Sequence, residues 1–110
     1  MAINNFADLA QKILREKASY QPANPDVEIQ TVFDRESNRY LMLHVGWRGE
    51  SRVYGCVIHL EIKDGKIWVQ QDGTEDGVAN EFIAAGVPTQ DIVIGWHYPP
   101  VRKYTEFAVG

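Results

Sequence analysis

At 110 residues the chain has the length of one domain, and we expect a single domain over residues 1–110. Apolar residues make up 45% and charged residues 24%, which excludes a disordered or collagen-like protein. Eleven basic against 15 acidic residues give a net charge of −4, which disfavours a large phosphate-neutralising surface and hence sequence-independent DNA binding.

The first predicted element is a helix near the N-terminus. Asn4 or Asn5 can cap it, and residues 20–25, which include two prolines, end it. Its apolar residues recur at the spacing of one buried helical stripe: Phe6, Leu9, Ala10, Ile13 and Leu14.

From Val27 the apolar period changes to two, which predicts strands over residues 27–34, 40–47, 52–63 and 66–71. The third strand alternates so that one side carries Tyr54, Cys56, Ile58, Leu60 and Ile62. Asp64 and Gly65 form the residue pair preferred in a type I′ turn, because both central positions need a positive φ. A β-hairpin is therefore predicted at residues 52–71.

Thr74 is the predicted N-cap of a second helix, and Gly86 with Pro88 marks its end. Residues 92–96 then read as a short buried strand that Pro99 and Pro100 terminate, and residues 101–110 have strand-like character without a firm assignment. The predicted fold is α+β: an antiparallel β-meander of four to six strands, with an N-terminal helix and a second helix after strand four (α-β-β-β-β-α-β). Both helices are expected to pack on one face of the sheet.

Two short motifs resemble metal sites. Glu61-x-Lys63 with the upstream Asp26 matches the acidic-residue and E-x-K pattern of metal-dependent nucleases. The same residues also suit a solvated strand face beside an Asp-Gly turn, which is the favoured interpretation of so short a motif. Residues 72–77, DGTEDG, resemble a calcium loop, but Ile83 stands where the loop needs a bidentate acid, so helix capping is favoured.

No other set of residues predicts catalysis, a metal site or a cofactor. His44, His59 and His97 lack the spacing of a metal-ligand pair and could converge only through the fold. Cys56, the only cysteine, lies on the apolar side of its strand and is interpreted as inert core. A single cysteine also excludes an internal disulfide and favours a reducing compartment.

The aromatic residues suggest a protein interface. Trp68 lies on the strand face opposite Ile67 and Val69, so it points away from the main core. Either the C-terminal segment covers that face or the face is free to bind a protein, and the sequence leaves both open. The candidate interface residues are Trp47, Trp68, Trp96, Tyr98, Arg102, Tyr104 and Phe107.

The ordered pattern GWRGESRVYGCVIHLEIKDGKIWVQQDGTEDGVANEFIAAGVPTQDIVIGW, followed by VRKYTEFAV, resembles the XisI family, the fdxN element excision controlling factors of cyanobacteria. The likeness extends to the first helix and to QTVFDRESNRYLML. It implies a non-enzymatic accessory factor for programmed excision of a DNA element. The implied partners are an XisH-like companion, whose family resembles nucleases, and a site-specific recombinase.

We therefore expect a cytoplasmic protein that acts by protein–protein interaction, with no cofactor and only indirect contact with DNA. The N-terminus lacks the features of a signal peptide, and no apolar run approaches the ~18 residues of a membrane span. Two alternatives remain: a nuclease using Glu61 and Lys63, and direct DNA binding by gathered basic residues, namely Arg48, Arg52, Arg102 and Lys103. Homodimerisation through an edge strand or an exposed aromatic face is also left open.

Overall fold

The chain folds as two helices and five strands in the computed structural model, which describes residues 5–20 and 24–110. In chain order these elements are α1 (Phe6–Ala18), β1 (Val27–Asp34), β2 (Arg39–Arg48), β3 (Ser51–Lys63), β4 (Lys66–Asp72), α2 (Val78–Ala84) and β5 (Ile92–Ile94). Short 3-10 helices follow α2 at Thr89–Asp91 and β5 at Pro99–Tyr104. The predicted α+β order is confirmed.

The strands form one sheet in the order β1-β2-β3-β4-β5. The first four pair antiparallel as the predicted meander, whereas β5 pairs parallel to β4, so the sheet is mixed. A parallel neighbour needs a long crossover connection, and α2 supplies it. Within the described residues the C-terminal segment adds no sixth strand, because Pro99 and Pro100 begin a 3-10 helix there.

The turns and the first cap follow the sequence closely. The Asn5 side chain accepts a hydrogen bond from the Asp8 backbone N–H and caps α1, while the alternative cap, Asn4, lies outside the described residues. The break between α1 and β1 is described only in part, because residues 21–23 lie outside that range. Asp64 and Gly65 have φ values of 54° and 75°, as the predicted type I′ turn requires.

The start of α2 differs from the prediction. The helix begins at Val78 with Gly77 at the N-cap, and Thr74 lies before it. Asp72 takes over the capping role, because its carboxylate accepts hydrogen bonds from Thr74 N at 2.9 Å and from Val78 N at 2.6 Å. The end is as predicted: Gly86 has φ 101°, and Val87 N donates to Phe82 O in a Schellman motif.

The two helices cover one face of the sheet and enclose the core there. The fully buried side chains of this core come from both helices and from β2 to β5, while β1 adds partly buried residues; they include Leu14, Tyr40, Ile58, Leu60, Ile67, Val69, Phe82 and Ile92. Sheet residues that pair across strands share a face, so Tyr40 and Met42 of β2 point to the helices and Leu41 and Leu43 point away. No helix in the described ranges is long and apolar enough to span a membrane.

The opposite face of the sheet is divided in two. Over β4 and β5 the C-terminal segment packs against it, so that Val93 and Ala108 are buried and Ala108 N donates to Ile92 O at 2.9 Å. Over β1, β2 and β3 the face remains accessible to solvent. These two regions carry the candidate interface residues.

Candidate interaction surfaces

The seven candidate interface residues do not form one patch. Trp47, Trp96, Tyr98 and Tyr104 are exposed, whereas Trp68 and Phe107 are half-buried and Arg102 is buried. Trp47 lies near the β2–β3 turn, while the other exposed aromatic residues belong to the C-terminal segment. The structure thus separates an internal group from two different surfaces.

Arg102 fastens the C-terminal segment from inside. Its guanidinium donates to three backbone carbonyls, those of His97 at 2.9 Å, Gly95 at 3.1 Å and Val109 at 3.4 Å. The same group lies over the Trp68 ring, 5.4 Å from its centroid. Arg102 is 9% exposed and uses three of its five N–H donors within the chain, so it acts as a structural residue.

Trp68 is covered by this arrangement, which decides between the two interpretations of its strand face. The Arg102 guanidinium lies on the ring, and Lys63 Nζ approaches the ring to 4.7 Å from its centroid. The indole Nε1 is buried and has no hydrogen-bond acceptor among the residues that the structure describes. Trp68 therefore anchors the C-terminal segment to β4.

The outer side of this segment is apolar and exposed. We define the C-terminal surface as five residues whose side chains are 46–79% exposed: Trp96, Tyr98, Val101, Tyr104 and Val109. Beside it lies an open groove of ≈ 380 Å³, lined among others by Ala79, Asn80, Ile94, Trp96 and Phe107. Exposed aromatic residues next to a groove are typical of the anchor points of protein interfaces.

A second apolar surface covers β1, β2 and β3 on the side away from the helices. We define the open face by the apolar side chains that the strand pairing places there: Val32, Leu41, Leu43, Val45, Trp47, Tyr54 and Cys56. Three of them are strongly exposed, namely Val32 at 46%, Trp47 at 49% and Tyr54 at 69%. At the end of the open face next to the β2–β3 turn, the Arg52 guanidinium stacks on the Trp47 ring, 5.3 Å from its centroid.

The positions of Tyr54 and Cys56 on the open face correct the prediction that they share a side with Ile58 and Leu60. A β-bulge shifts the register, so Met42 pairs with Ile58 while Leu43 pairs with Cys56. Because Met42 and Leu43 point to opposite faces, Ile58 and Cys56 do too, and Val57 is the extra residue. Cys56 is therefore not part of the main core, although partial burial raises the pKa of its thiol.

The predicted nuclease residues are not assembled. The Asp26 carbonyl accepts a hydrogen bond from Trp47 N at one end of β2, whereas Glu61 pairs with Arg39 at the other end. Eight residues of strand separate these ends by roughly 26 Å, too far for two carboxylates to share Mg²⁺. Glu61 Oε1 lies instead 3.5 Å from Arg39 Nε.

Other acidic and histidine groups also have structural roles. His59 Nε2 lies 3.3 Å from Glu61 Oε1, within ion-pair distance but without hydrogen-bond geometry. The Asp72 carboxylate is used for capping by Thr74 and Val78, which accounts for the DGTEDG motif. No cluster of three or more His, Cys, Asp or Glu side chains that could hold a metal occurs in the part of the chain that the structure describes.

The basic residues proposed for direct DNA contact are also dispersed. Arg102 is buried, Arg52 stacks on aromatic rings at the β2–β3 end, and Lys103 lies over Tyr104 on the C-terminal segment. Strong phosphate binding needs several free cations on one surface. Arg52, Arg102 and Lys103 therefore do not form the basic patch that the alternative of direct DNA binding requires.

Comparison with known proteins agrees with this architecture. The sequence matches the family described as XisI protein over residues 1–109. A solved XisI-like protein from Anabaena variabilis is 45% identical, with 96% of each chain covered and a TM-score of 0.89. The fdxN element excision controlling factor XisI from the same organism is 34% identical, again with 96% of each chain covered, at a TM-score of 0.81. The search of curated proteins gave no match. On the family match and these two structures, the chain belongs to the XisI family.

Proposed function

We propose that this protein is a non-enzymatic controlling factor for the programmed excision of a DNA element and that it acts by binding other proteins. The observation that carries the proposal is the C-terminal surface, where Trp96, Tyr98 and Tyr104 are exposed on an internally fastened segment. Membership of the XisI family and the name of the 34% identical relative support the excision role. Its proposed compartment is the cytoplasm, where the single free thiol would stay reduced.

The C-terminal surface suits a partner because it is held in place before binding. The hydrogen bonds of Arg102 and the bond from Ala108 N to Ile92 O keep the segment against the sheet. A partner then loses little free energy to ordering this backbone, and each aromatic ring that it covers contributes by desolvation. The groove beside Trp96 and Phe107 can receive a side chain of the partner.

The proposed partners are an XisH-like companion and a site-specific recombinase, as the family resemblance implies. Catalysis would then belong to these partners, which fits the separation of Asp26 and Glu61 at opposite ends of β2. Contact with DNA would be indirect, consistent with the net charge of −4 and the internal use of Arg102.

Co-expression and affinity capture test the proposal. The wild-type protein should retain the companion or the recombinase, and Tyr98→Ala with Tyr104→Ala should weaken the complex. Loss of one central aromatic anchor costs about 2 kcal/mol, or roughly 30-fold in Kd. Tyr20→Ala is the matched control, because Tyr20 is 73% exposed and Tyr98 71% exposed, but Tyr20 follows α1. If neither the companion nor the recombinase is captured, the proposed function is wrong.

The non-enzymatic part has its own test. Purified protein incubated with DNA and Mg²⁺ should leave the DNA intact. Cleavage that is removed by Glu61→Gln would instead assign nuclease chemistry to this chain and contradict the proposal.

A further inference from the structure

We infer that the open face is covered by a second copy of this chain, so that two sheets pack face to face in a two-fold symmetric dimer. The inference is independent of the proposed function, which uses the C-terminal surface. The two faces of the sheet are not covered equally. Helices cover one face and the C-terminal segment covers β4 and β5 on the other, but Val32, Trp47 and Tyr54 remain strongly exposed over β1, β2 and β3.

The middle of the open face is an apolar stripe along β2, bordered by polar side chains that the pairing places beside it, namely Glu28, Gln30 and Asp34 of β1 and His59 of β3. Leu41, Leu43 and Val45 follow one another along β2, the middle of the three strands. On the neighbouring strands, Cys56 of β3 pairs with Leu43 and Val32 of β1 pairs with Leu41. When two such sheets pack face to face, the aliphatic side chains along β2 can interdigitate at the roughly 10 Å spacing of packed sheets.

The size of the open face is sufficient for a weak but specific dimer. The ten residues of β2 and the width of three strands outline roughly 450 Å² per copy. Protruding side chains add to this flat area, so two copies would bury about 1,000 Å² in total, the lower end of specific interfaces. We therefore expect a dissociation constant on the order of micromolar.

Charge and symmetry identify a second copy as the occupant. The open face has Arg52 at one end, and at the other end Asp34 and Glu61 flank Arg39, so that the acidic side chains outnumber the basic one there. Leu43 lies midway along β2 between Trp47, which pairs with Arg52, and Arg39, which pairs with Glu61. A two-fold axis through Leu43, across the strands and parallel to the sheet, brings each end of one copy onto the opposite end of the other.

This arrangement places side chains of the two copies against each other at both ends of β2 and β3. Arg52 of each copy faces Glu61 of the other, and Trp47 faces Arg39, whose side chain is 59% exposed. The oppositely charged Arg52 and Glu61 meet at both ends on β3, while the aliphatic side chains of β2 meet in the centre. One patch thus serves both sides of the interface, as a two-fold dimer requires.

The test is the oligomeric state of the full chain, measured by sedimentation equilibrium from about 1 to 200 µM, a range that brackets a micromolar dissociation constant. Val32→Asp should raise the dissociation constant at least tenfold, because it places a buried charge close to Glu28 of the second copy. Val101→Asp is the matched control: both valines are 46% exposed, but Val101 lies on the C-terminal surface. The control should dimerise as the wild type does. Thermal unfolding of each variant establishes that it is folded.

A second test exchanges the charges of Arg52 and Glu61 and leaves the aliphatic side chains of β2 unchanged. Arg52→Glu and Glu61→Arg should each weaken the dimer, and the double variant should recover most of the wild-type dissociation constant. A protein that stays monomeric at the highest concentration overturns the inference. So does a dimer that neither Val32→Asp nor Arg52→Glu weakens, even if a different surface then proves to be the interface.

Discussion

Replacing Arg102 should release the C-terminal segment and cost a large part of the protein's stability. Arg102→Ala removes two short hydrogen bonds, to His97 O at 2.9 Å and to Gly95 O at 3.1 Å, and a longer one to Val109 O. Hydrogen bonds from a charged donor contribute about 1.5–3 kcal/mol each. The two short bonds alone therefore give an expected loss of about 3–6 kcal/mol, out of the 5–15 kcal/mol typical of a domain.

Urea unfolding, followed by circular dichroism and tryptophan fluorescence, measures this loss. Lys103→Ala is the control, because the neighbouring Lys103 is exposed and its Nζ lies over the exposed Tyr104 ring. An exposed cation–π contact contributes about 0.5 kcal/mol, so the control should change stability very little. Arg102→Lys keeps the charge but not the forked donors, and should recover less than half of the loss.

Two results would refute this reasoning. One is an Arg102→Ala variant whose free energy of unfolding differs from that of Lys103→Ala by less than about 1 kcal/mol, the range of ordinary surface changes. The other is a large loss of stability with unchanged amide exchange at Ala108, whose N–H donates to Ile92 O. In that case Arg102 would stabilise the protein by a route other than holding the segment.

Three further predictions concern the sheet and the second helix. Asp72→Ala should lower the free energy of unfolding by about 1–2 kcal/mol through loss of the α2 cap, whereas Glu75→Ala, an exposed acid in the same loop, should not. Gly46→Ala should cost about 3 kcal/mol, because the new Cβ would lie 2.1 Å from the backbone oxygen of Asp26, which precedes β1. Gly55→Ala should be nearly neutral, because its Cβ would have no atom of the described residues within 4 Å. Equal unfolding midpoints within either pair would contradict these assignments. The thiol of Cys56 should react with a disulfide reagent more slowly at pH 8 than a free thiol, since burial raises its pKa and lowers the thiolate fraction; a rate equal to that of a free thiol would show that the side chain is not buried as described.

The sequence located the elements but not every orientation within them. Alternation along β3 predicted one face for Tyr54, Cys56 and Ile58. The bulge at Val57 instead places Tyr54 and Cys56 on the opposite face from Ile58. A bulge depends on how the neighbouring strand aligns, and nothing in the residues of β3 alone marks it. The contribution of Tyr54 and Cys56 to the open face was therefore not predicted from the sequence.

The cap of α2 and the burial of Arg102 also depend on contacts that the local sequence does not reveal. Thr74 had the right type and place for an N-cap, but the Asp72 carboxylate, at the end of β4, was close enough to satisfy Val78 N. Arg102 was predicted to face a partner because arginine is common at interfaces. Its burial depended on three carbonyls that only the folded C-terminal segment brings together.

By itself, the sequence determined the α+β class, the order of the elements, the Asp64–Gly65 turn and the end of α2, because periodicity and positive-φ residues act over a few neighbouring positions. Tertiary structure alone decided that β5 joins in parallel, that Arg102 and Trp68 lie inside, and that two separate apolar surfaces remain. These features arise from contacts between distant parts of the chain. Their geometry is set by strand alignment and packing, which local residue patterns do not encode.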